Sequence, residues 1–329
     1  MSGVGGIHHV TAIASDPQRN LDFYAGILGL RLVKRTVNFD DPGTYHFYFG
    51  DEAGTPGSIL TFFPWPGAHR GRQGPGQVAV TSFAIAHDSV GFWIERMVRY
   101  GISYEGPAKH PIEAGERVIS FRDPDGLLLE LVATEAAARR PAWGGSHEVP
   151  LERAIHGFHS VTLWIEESGP TDRLLTDSLG FRTVGEAGSV RRLATGDEGP
   201  AAMVQTRATG GFVQGVSGAG TVHHVAWRVP DEAAQLALRS RIESAGLDPT
   251  PVIDRQYFRS VYFREPGGVL YELATNSPGF AIDEPLERLG QRLMLPAQYE
   301  PHRAQIEAAL PPVHLPRPAS ADSFLPAGN

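Results

Sequence analysis

The stretch GIHHVTAI, residues Gly6 to Ile13, places two adjacent histidines inside an apolar run that contains β-branched residues. The same His-His-Val tripeptide returns in TVHHVAW, Thr221 to Trp227, more than two hundred residues later. Runs of this composition are typical of β-strands. The recurrence is either chance or the sign of two strands that meet in space, and it calls for a search for an internal repeat.

Four segments of the chain share one pattern. Each opens with a strand-like run, and these runs are HHVTAIA (8–14), AVTSFAIA (79–86), FHSVTLWI (158–165) and HHVAWRV (223–229). Each run leads into a helical pattern that stops at a glycine, the residue favoured in a left-handed helix cap. Those glycines are Gly29, Gly101, Gly180 and Gly246. Two or three further strand candidates follow, and the proline and glycine in FRDPDGLLLELVA (121–133) and FREPGGVLYELAT (263–275) indicate hairpin turns.

The repeating unit is therefore β-α-β-β-β, with four copies at roughly 10–65, 78–134, 155–207 and 220–276. We expect an N-terminal half of two modules over 1–134 and a linker rich in Ala, Arg, Gly and Pro over 135–154. A C-terminal half of two modules over 155–280 and a C-terminal extension over 281–329 complete the expected organisation. From Pro296 on the sequence is Pro-rich, so it is expected to run extended over the surface or to be partly disordered.

Composition and charge exclude several classes of protein and site. The 329 residues include no cysteine, which rules out disulfides, thiolate metal sites and a cysteine nucleophile. The formal net charge of -8 argues against a nucleic-acid or anionic-membrane partner. No apolar run approaches the roughly 20 residues that span a bilayer, and no leader pattern is evident. We expect a cytoplasmic protein, and its sequence is compatible with a homo-oligomer.

The repeats allow one strand position to be compared four times. His9 in the first unit matches His224 in the fourth, Ser160 in the third and Ser82 in the second. His159 is one residue out of register, so strand alternation directs it to the opposite face. The first and fourth units therefore offer an imidazole at this position, and the other two do not.

The last strand of each unit supplies a second position. Six residues after the turn proline stand Glu272 in the fourth unit and Glu130 in the second. The same count from Pro56 in the first unit ends on Phe62, whose side chain cannot bind a metal. The first and fourth units together thus offer three groups to one site, and these are His9, His224 and Glu272.

His9, His224 and Glu272 form the two-histidine, one-carboxylate set that binds non-haem Fe(II) and leaves positions on the ion for O2 and substrate. A single strand histidine is more often structural than a ligand, so this prediction depends on the coincidence of three groups in two units. The other histidines lack such a partnership and are expected to be surface or structural residues: His46, His69, His87, His110, His147 and His156.

With these motifs the chain resembles the vicinal-oxygen-chelate superfamily of glyoxalases, extradiol dioxygenases and bleomycin-resistance proteins. Within it the chain is similar to the branch that cleaves para-hydroquinone rings. The resemblance runs from about Ile7 to Phe280 and is carried by GIHHVT, TVNFDDPGTYHFYFGD (36–51), TVHHVAW and DRQYFRSVYFREPGGVLYELATNSPGF (254–280). It implies an α+β fold in which four βαβββ modules form two cupped mixed sheets.

The resemblance also implies an Fe(II)-dependent, extradiol-type ring-cleaving dioxygenase in aromatic catabolism, with Mn(II) as the alternative metal. Its partners would be O2 and a small aromatic substrate of the hydroquinone type. The metal ligands would be His9, His224 and Glu272. Residues that support the ligands or contact the substrate would be His8, Thr11, His223, Arg255 and Tyr262. Catechol extradiol enzymes draw their ligands from the third and fourth units, but Ser160 replaces their first histidine, so this site should span both halves.

Three other functions stay open at this point. A catechol extradiol dioxygenase is the nearest. A glyoxalase-like lyase or isomerase would normally use four metal ligands, which Phe62 argues against, and a non-catalytic binding protein would normally lack the triad. The TFFPWP stretch (61–66), Trp227, Phe258 and Phe263 could supply an aromatic wall, although such residues are more often core.

Overall fold

The computed structural model describes residues 3–146, 148–196 and 201–315. The strands of the first two units are β1 (Ile7–Ala14), β2 (Arg31–Asn38), β3 (Asp41–Gly50), β4 (Ile59–Pro64), β5 (Gln77–Ile85), β6 (Tyr104–Lys109), β7 (Arg117–Arg122) and β8 (Leu128–Ala133). Those of the last two units are β9 (Phe158–Ile165), β10 (Arg182–Ala187), β11 (Val190–Ala194), β12 (Met203–Ala208), β13 (Thr221–Val229), β14 (Ile253–Asp254), β15 (Phe258–Arg264) and β16 (Leu270–Pro278).

These strands form two eight-stranded mixed sheets. The first has the order β14-β15-β16-β13-β1-β4-β3-β2, and the second has the order β10-β11-β12-β9-β5-β8-β7-β6. Antiparallel pairing of β1 with β13 joins the first and fourth units, and pairing of β5 with β9 joins the second and third. The predicted α+β fold of four βαβββ modules in two sheets is confirmed. Each sheet takes one module from either side of the linker, while the proposed domain limits stay a prediction.

The helices are α1 (Pro17–Leu21), α2 (Val90–Arg99), α3 (Ser168–Arg173), α4 (Glu232–Ser244) and α5 (Arg303–Ala309). The predicted stop glycines Gly29, Gly101, Gly180 and Gly246 have φ of +68°, +64°, +81° and +83°, as a left-handed cap requires. The Asp16 carboxylate accepts a hydrogen bond from Arg19 N at 2.8 Å and begins α1. Within the described ranges no helix is long and apolar enough to cross a membrane.

The core lies where the helices cover the sheets. Leu21 on α1 is fully buried, as are Tyr24 on the π-helical turn that follows and Leu28 directly after that turn. Trp93 on α2 is likewise fully buried and belongs to the same apolar cluster. Each such side chain contributes roughly 1.5–3 kcal/mol by leaving water. The opposite faces of the sheets are thereby left free to carry polar side chains.

The described part of the C-terminal extension differs from the expectation. Instead of running extended, it forms α5, and the α5 side chain of Ile306 is only 7% exposed. The hydroxyl of Tyr299 donates to the carbonyl of Phe39 at 2.7 Å, and that of Tyr45 donates to Pro311 O at 3.0 Å. Apolar burial and these two bonds hold the segment against β3.

The second sheet carries a buried ionic cluster at its own polar face. The Glu116 carboxylate contacts His159 Nε2 at 2.8 Å and Arg192 NH2 at 3.1 Å. Arg192 also lies 2.8 Å from Nε2 of His110. His159 and His110 therefore take part in an ionic contact within the second sheet, and their expected structural roles stay predictions.

This cluster should make stability depend on pH. Burial raises the pKa of Glu116, but the hydrogen bond from His159 and the charge of Arg192 outweigh it and lower that pKa to about 2. Because the folded-state pKa lies below the unfolded one, the stabilisation is complete above the unfolded value of about 4.3 and is lost as pH falls toward 2. In metal-free protein, the stability advantage of wild type over Glu116→Gln should shrink from pH 6 to pH 3 in urea unfolding. A constant difference would contradict this assignment.

Candidate metal centre

Three neighbouring strands bring His9, His224 and Glu272 together, as the ligand prediction requires. Nε2 of His9 lies 3.2 Å from Nε2 of His224 and 3.2 Å from Oε2 of Glu272. Nε2 of His224 lies 2.9 Å from the same carboxylate oxygen. All three side chains are buried. Among the described residues this is the one group of histidine and acidic side chains that meets the spacing of a metal site.

The strand register explains why the three side chains meet. His9 on β1 lies opposite Ala226 on β13, and Ala226 lies beside Glu272 on β16. His224 stands two residues before Ala226, so its side chain projects from the same face of the sheet. The histidine recurrence that opens the sequence is therefore a contact in space.

The spacing and the hydrogen bonds of the three groups suit a cation. Two ligands about 2.1 Å from an ion stand about 3.0 Å apart at right angles and about 3.4 Å apart in a tetrahedron. The observed separations of 2.9–3.2 Å fit three adjacent corners of an octahedron. Oε1 of Glu272 accepts from Ser260 Oγ at 2.6 Å, whereas the buried Oε2 has no hydrogen bond of good geometry. A metal ion would satisfy that oxygen.

The electrostatics of the site favour the metal-binding forms of the side chains. Burial raises the pKa of Glu272, but the adjacent imidazoles of His9 and His224 outweigh it and hold that pKa well below its usual range. Burial lowers the pKa of His224, and the nearby carboxylate only partly opposes this. At neutral pH the carboxylate is ionised and the His224 imidazole is neutral, the states that coordinate a metal ion.

Each histidine ligand is backed by the histidine that precedes it. Nδ1 of His8 lies 2.9 Å from Nδ1 of His9, and Nδ1 of His223 lies 2.8 Å from Nδ1 of His224. Nε2 of His8 contacts the carbonyl of Thr275 at 3.1 Å, and burial together with His9 lowers the pKa of His8 to about 3. With Nε2 of His9 turned to an ion, its Nδ1–H would donate to His8, an outer contact that orients a ligand.

A cavity of about 260 Å³ opens beside His9 and His224. Of the other predicted site residues, Thr11, His223, Arg255 and Tyr262 line it. His8 does not, because it lies behind His9 against Phe258. The full lining is His9, Thr11, Asn38, Phe39, Asp40, His46, Tyr48, Phe63, Trp65, His223, His224, Arg255, Phe258, Tyr262 and Leu270.

Arg255 and Tyr262 form one polar side of the cavity. The Tyr262 hydroxyl lies 3.4 Å from Arg255 Nε, and the Tyr262 ring packs edge-on against His224. Burial raises the pKa of Tyr262 well above its usual value, and the charge of Glu272 adds to this, so the phenol keeps its proton. Arg255 also pairs with Asp40 at 3.1 Å. The pair can therefore donate to an oxygen of a bound molecule and balance negative charge on it.

The prediction that Phe62 occupies the fourth ligand position is wrong by one residue. On β13, Ala226 stands two residues after His224 and pairs with Glu272. On β1, Thr11 stands two residues after His9 and pairs with Thr61, so Thr61 is the residue that corresponds to Glu272. The turn before β4 is one residue shorter than the turn before β16, so the count from the turn proline overshoots. Phe62 lies on the other face, in the core against Tyr24. A threonine hydroxyl thus occupies the place opposite Glu272.

The matching of Ser82 with His9 and His224 is also wrong, by two residues. Glu130 pairs with Ser82 itself, as Glu272 pairs with Ala226, so the residue that corresponds to His224 is Val80. Ser82 instead donates to Glu130 at 2.7 Å. The second and third units still lack a histidine at this position, because neither Val80 nor Ser160 carries an imidazole.

His46 was expected to be a surface or structural histidine, but it lines the cavity. The signal in the sequence was the alternation of TYHFYFG, which places His46 and Tyr48 on one face of β3. The aromatic wall is partly as expected: Phe63, Trp65 and Phe258 line the cavity, whereas Trp227 and Phe263 are buried in the core. His147 lies outside the described residues.

The chain matches one protein-family model and is similar in sequence to proteins named as dioxygenases. The model of the glyoxalase/bleomycin resistance protein/dioxygenase superfamily matches residues 6–131. The chain is 49% identical over 308 residues to MhqO of Bacillus subtilis (strain 168), a protein provisionally named a ring-cleaving dioxygenase, with 93% of this chain and 96% of MhqO covered. It is 32% identical over 305 residues to the chlorohydroquinone/hydroquinone 1,2-dioxygenase of Sphingobium indicum, with 90% and 93% covered.

A solved structure shows the same architecture over the whole chain. It is the crystal structure of a protein from Bacillus subtilis subsp. subtilis str. 168 that is provisionally titled a dioxygenase. The TM-score is 0.90 at 46% sequence identity, and the match covers 96% of this chain and 99% of the other. Fold and sequence therefore agree on one set of relatives.

Proposed function

The chain belongs to the glyoxalase/bleomycin resistance protein/dioxygenase superfamily as a ring-cleaving dioxygenase, and we propose that it opens hydroquinone-type rings with O2 at an Fe(II) ion held by His9, His224 and Glu272. The ring-cleaving relatives, one of them named for chlorohydroquinone and hydroquinone, support the substrate class. Cytoplasmic localisation, a homo-oligomeric state and the exclusion of nucleic-acid and membrane partners stay predictions from the sequence.

One observation carries the proposal: three candidate ligand atoms face one point, and no fourth ligand joins them among the residues that the structure describes. Thr61, opposite Glu272, has a neutral hydroxyl that already contacts His46 and Thr11. Three facial ligands leave the other positions of an octahedral ion for a substrate oxygen and O2. A glyoxalase-type reaction normally uses a fourth protein ligand, and the described residues around the triad supply none.

When bound, Fe(II) would supply the redox-active centre at which an aromatic diol and O2 react. The protein positions the reactants and excludes water around that centre. Phe63, Trp65 and Phe258 provide apolar surface against which a ring can pack. Tyr262 donates a hydrogen bond to a substrate oxygen, and Arg255 beside it balances negative charge that forms when the substrate loses a proton.

The cavity size suits a substrate with a single ring. A buried apolar cavity of about 150 Å³ accommodates benzene. At about 260 Å³, the cavity here leaves room for a single ring with two hydroxyls and a small substituent. Monocyclic hydroquinones are therefore the expected substrates.

The test is oxygen uptake after anaerobic loading with metal. Fe(II)-loaded enzyme should consume one O2 per molecule of hydroquinone or methylhydroquinone, with kcat/KM at least tenfold above that for catechol and for 1,4-naphthalenediol. Parallel loading with Mn(II) and Zn(II) identifies the active metal. A preference for catechol would favour the catechol extradiol alternative, and turnover without O2 uptake would favour a glyoxalase-like reaction.

A further inference from the structure

A continuous chain of hydrogen bonds crosses the wall of the cavity opposite Glu272. The hydroxyl of Tyr48 lies 2.9 Å from Nδ1 of His46, and Nε2 of His46 lies 2.8 Å from Oγ1 of Thr61. Thr61 Oγ1 donates to Oγ1 of Thr11 at 2.9 Å. The four residues lie on β3, β4 and β1, and Tyr48, Thr61 and Thr11 are direct neighbours across these strands.

The direction of the chain follows from which groups keep their protons. Burial raises the pKa of Tyr48 and lowers the pKa of His46, so the phenol stays protonated and the imidazole stays neutral. Among the described residues Tyr48 has one hydrogen-bond partner for its hydroxyl, Nδ1 of His46. A neutral imidazole that accepts at Nδ1 carries its proton on Nε2 and donates it to Thr61. Thr61 then donates to Thr11, and no described residue accepts the proton of Thr11.

His46 cannot easily leave this arrangement. Its ring lies 4.0 Å from the ring of Tyr48 and 4.4 Å from that of Phe63, centroid to centroid. Both ring nitrogens are engaged, so rotation would break two hydrogen bonds. His46 is therefore suited to orient its neighbours rather than to exchange protons with a substrate.

We propose that His46 is a positioning residue which, through Thr61, holds Thr11 as a hydrogen-bond donor to a phenol or phenolate oxygen in the cavity. The inference rests on the proposed function and extends it. The donor stands on the opposite side of the ligand cluster from Tyr262, because Thr11 belongs to β1 and Tyr262 to β15. A ring with oxygens on two sides, such as a para-diol, could use both donors at once.

The experiment compares Thr11→Val, Thr61→Val, the double variant and Thr61→Ser. Iron content should equal that of wild type, because none of these residues is a ligand, and the unfolding temperature of each variant shows that it is folded under the assay conditions. Anaerobic binding of hydroquinone should weaken about tenfold in Thr11→Val, because one neutral hydrogen bond to the substrate is lost. It should weaken about threefold in Thr61→Val, because the Thr11 hydroxyl remains but is no longer held in its orientation. The Thr61→Val change should add nothing in the Thr11→Val background, and Thr61→Ser should restore affinity.

His46→Phe supplies a second variant that keeps the ring packing and removes both nitrogens. It should weaken binding as Thr61→Val does. Unchanged affinity in Thr61→Val and His46→Phe, additive effects in the double variant, or a larger loss in Tyr48→Phe than in Thr11→Val would overturn the inference. Hydroquinone binding without O2 uptake in wild type would refute the proposed function alone, since the binding comparison does not use O2.

Discussion

Replacing Glu272 with alanine is expected to abolish iron retention and to lower kcat/KM for hydroquinone by at least a thousandfold. Glu272 supplies the one charged ligand, and its Oε2 lies within 3.2 Å of both imidazole nitrogens. Without it, only the two imidazoles remain, and the site loses the negative charge that offsets a divalent ion. His9→Ala and His224→Ala should have the same result. Iron bound per chain after anaerobic loading and desalting measures the effect.

The second sheet contains a matched control for this change. Glu130 is also buried, also accepts a hydrogen bond from a serine and pairs in its sheet as Glu272 does in the first. Glu130→Ala removes the same side chain from the same position of the repeat, so its cost in stability should be similar while iron content stays at the wild-type level. Equal iron loss in Glu130→Ala would mean that the wrong pair of units was assigned to the metal.

Replacing Lys34 with methionine is expected to lower the free energy of unfolding by about 3–5 kcal/mol, the range for breaking a buried ion pair. The Lys34 side chain on β2 is 0% exposed, and its Nζ lies 2.6 Å from both Asp283 Oδ1 and Glu284 Oε2. It also lies 5.2 Å from the centroid of the Tyr257 ring. Methionine preserves the length of the side chain but leaves two carboxylates without their cation.

Arg259 provides the control, since it also bridges two carboxylates but in solvent. Its side chain is 42% exposed, and its partners Glu232 and Asp254 are 63% and 61% exposed. Arg259→Met should cost less than about 1 kcal/mol in the same urea titration. Adding Asp283→Asn and Glu284→Gln to Lys34→Met should recover part of the lost stability. A change below 1 kcal/mol for Lys34→Met alone would contradict the assignment of a buried cation.

Much of the candidate site could be predicted from the sequence because the repeat provides internal comparisons. His9 and His224 occupy matching strand positions, and Glu272 follows a turn that the proline and glycine mark clearly. The ligand set follows from these residue types. The same reasoning failed at Phe62, because a turn shorter by one residue moves every following side chain to the other face.

His46 shows a different limit of sequence reasoning. Its strand, β3, is separated from β13 by β4 and β1 in the sheet, and nothing in the local pattern states which strands lie beside it. Its role depends on Thr61, which it contacts only after the sheet has formed, and on Thr11, which contacts Thr61 in turn. Isolated histidines are common in strands, so the residue type alone did not distinguish it from the structural ones.

The sequence alone determined the repeated βαβββ unit, its helix ends and the donor groups for a metal, because these depend on short-range alternation and on glycine conformation. The tertiary structure decided that the first unit pairs with the fourth, that Thr61 rather than Phe62 faces the ligands, and that Lys34 is buried between two carboxylates. Local patterns set the face that each side chain occupies. Strand order and turn length, which result from packing the whole chain, set the groups that it meets.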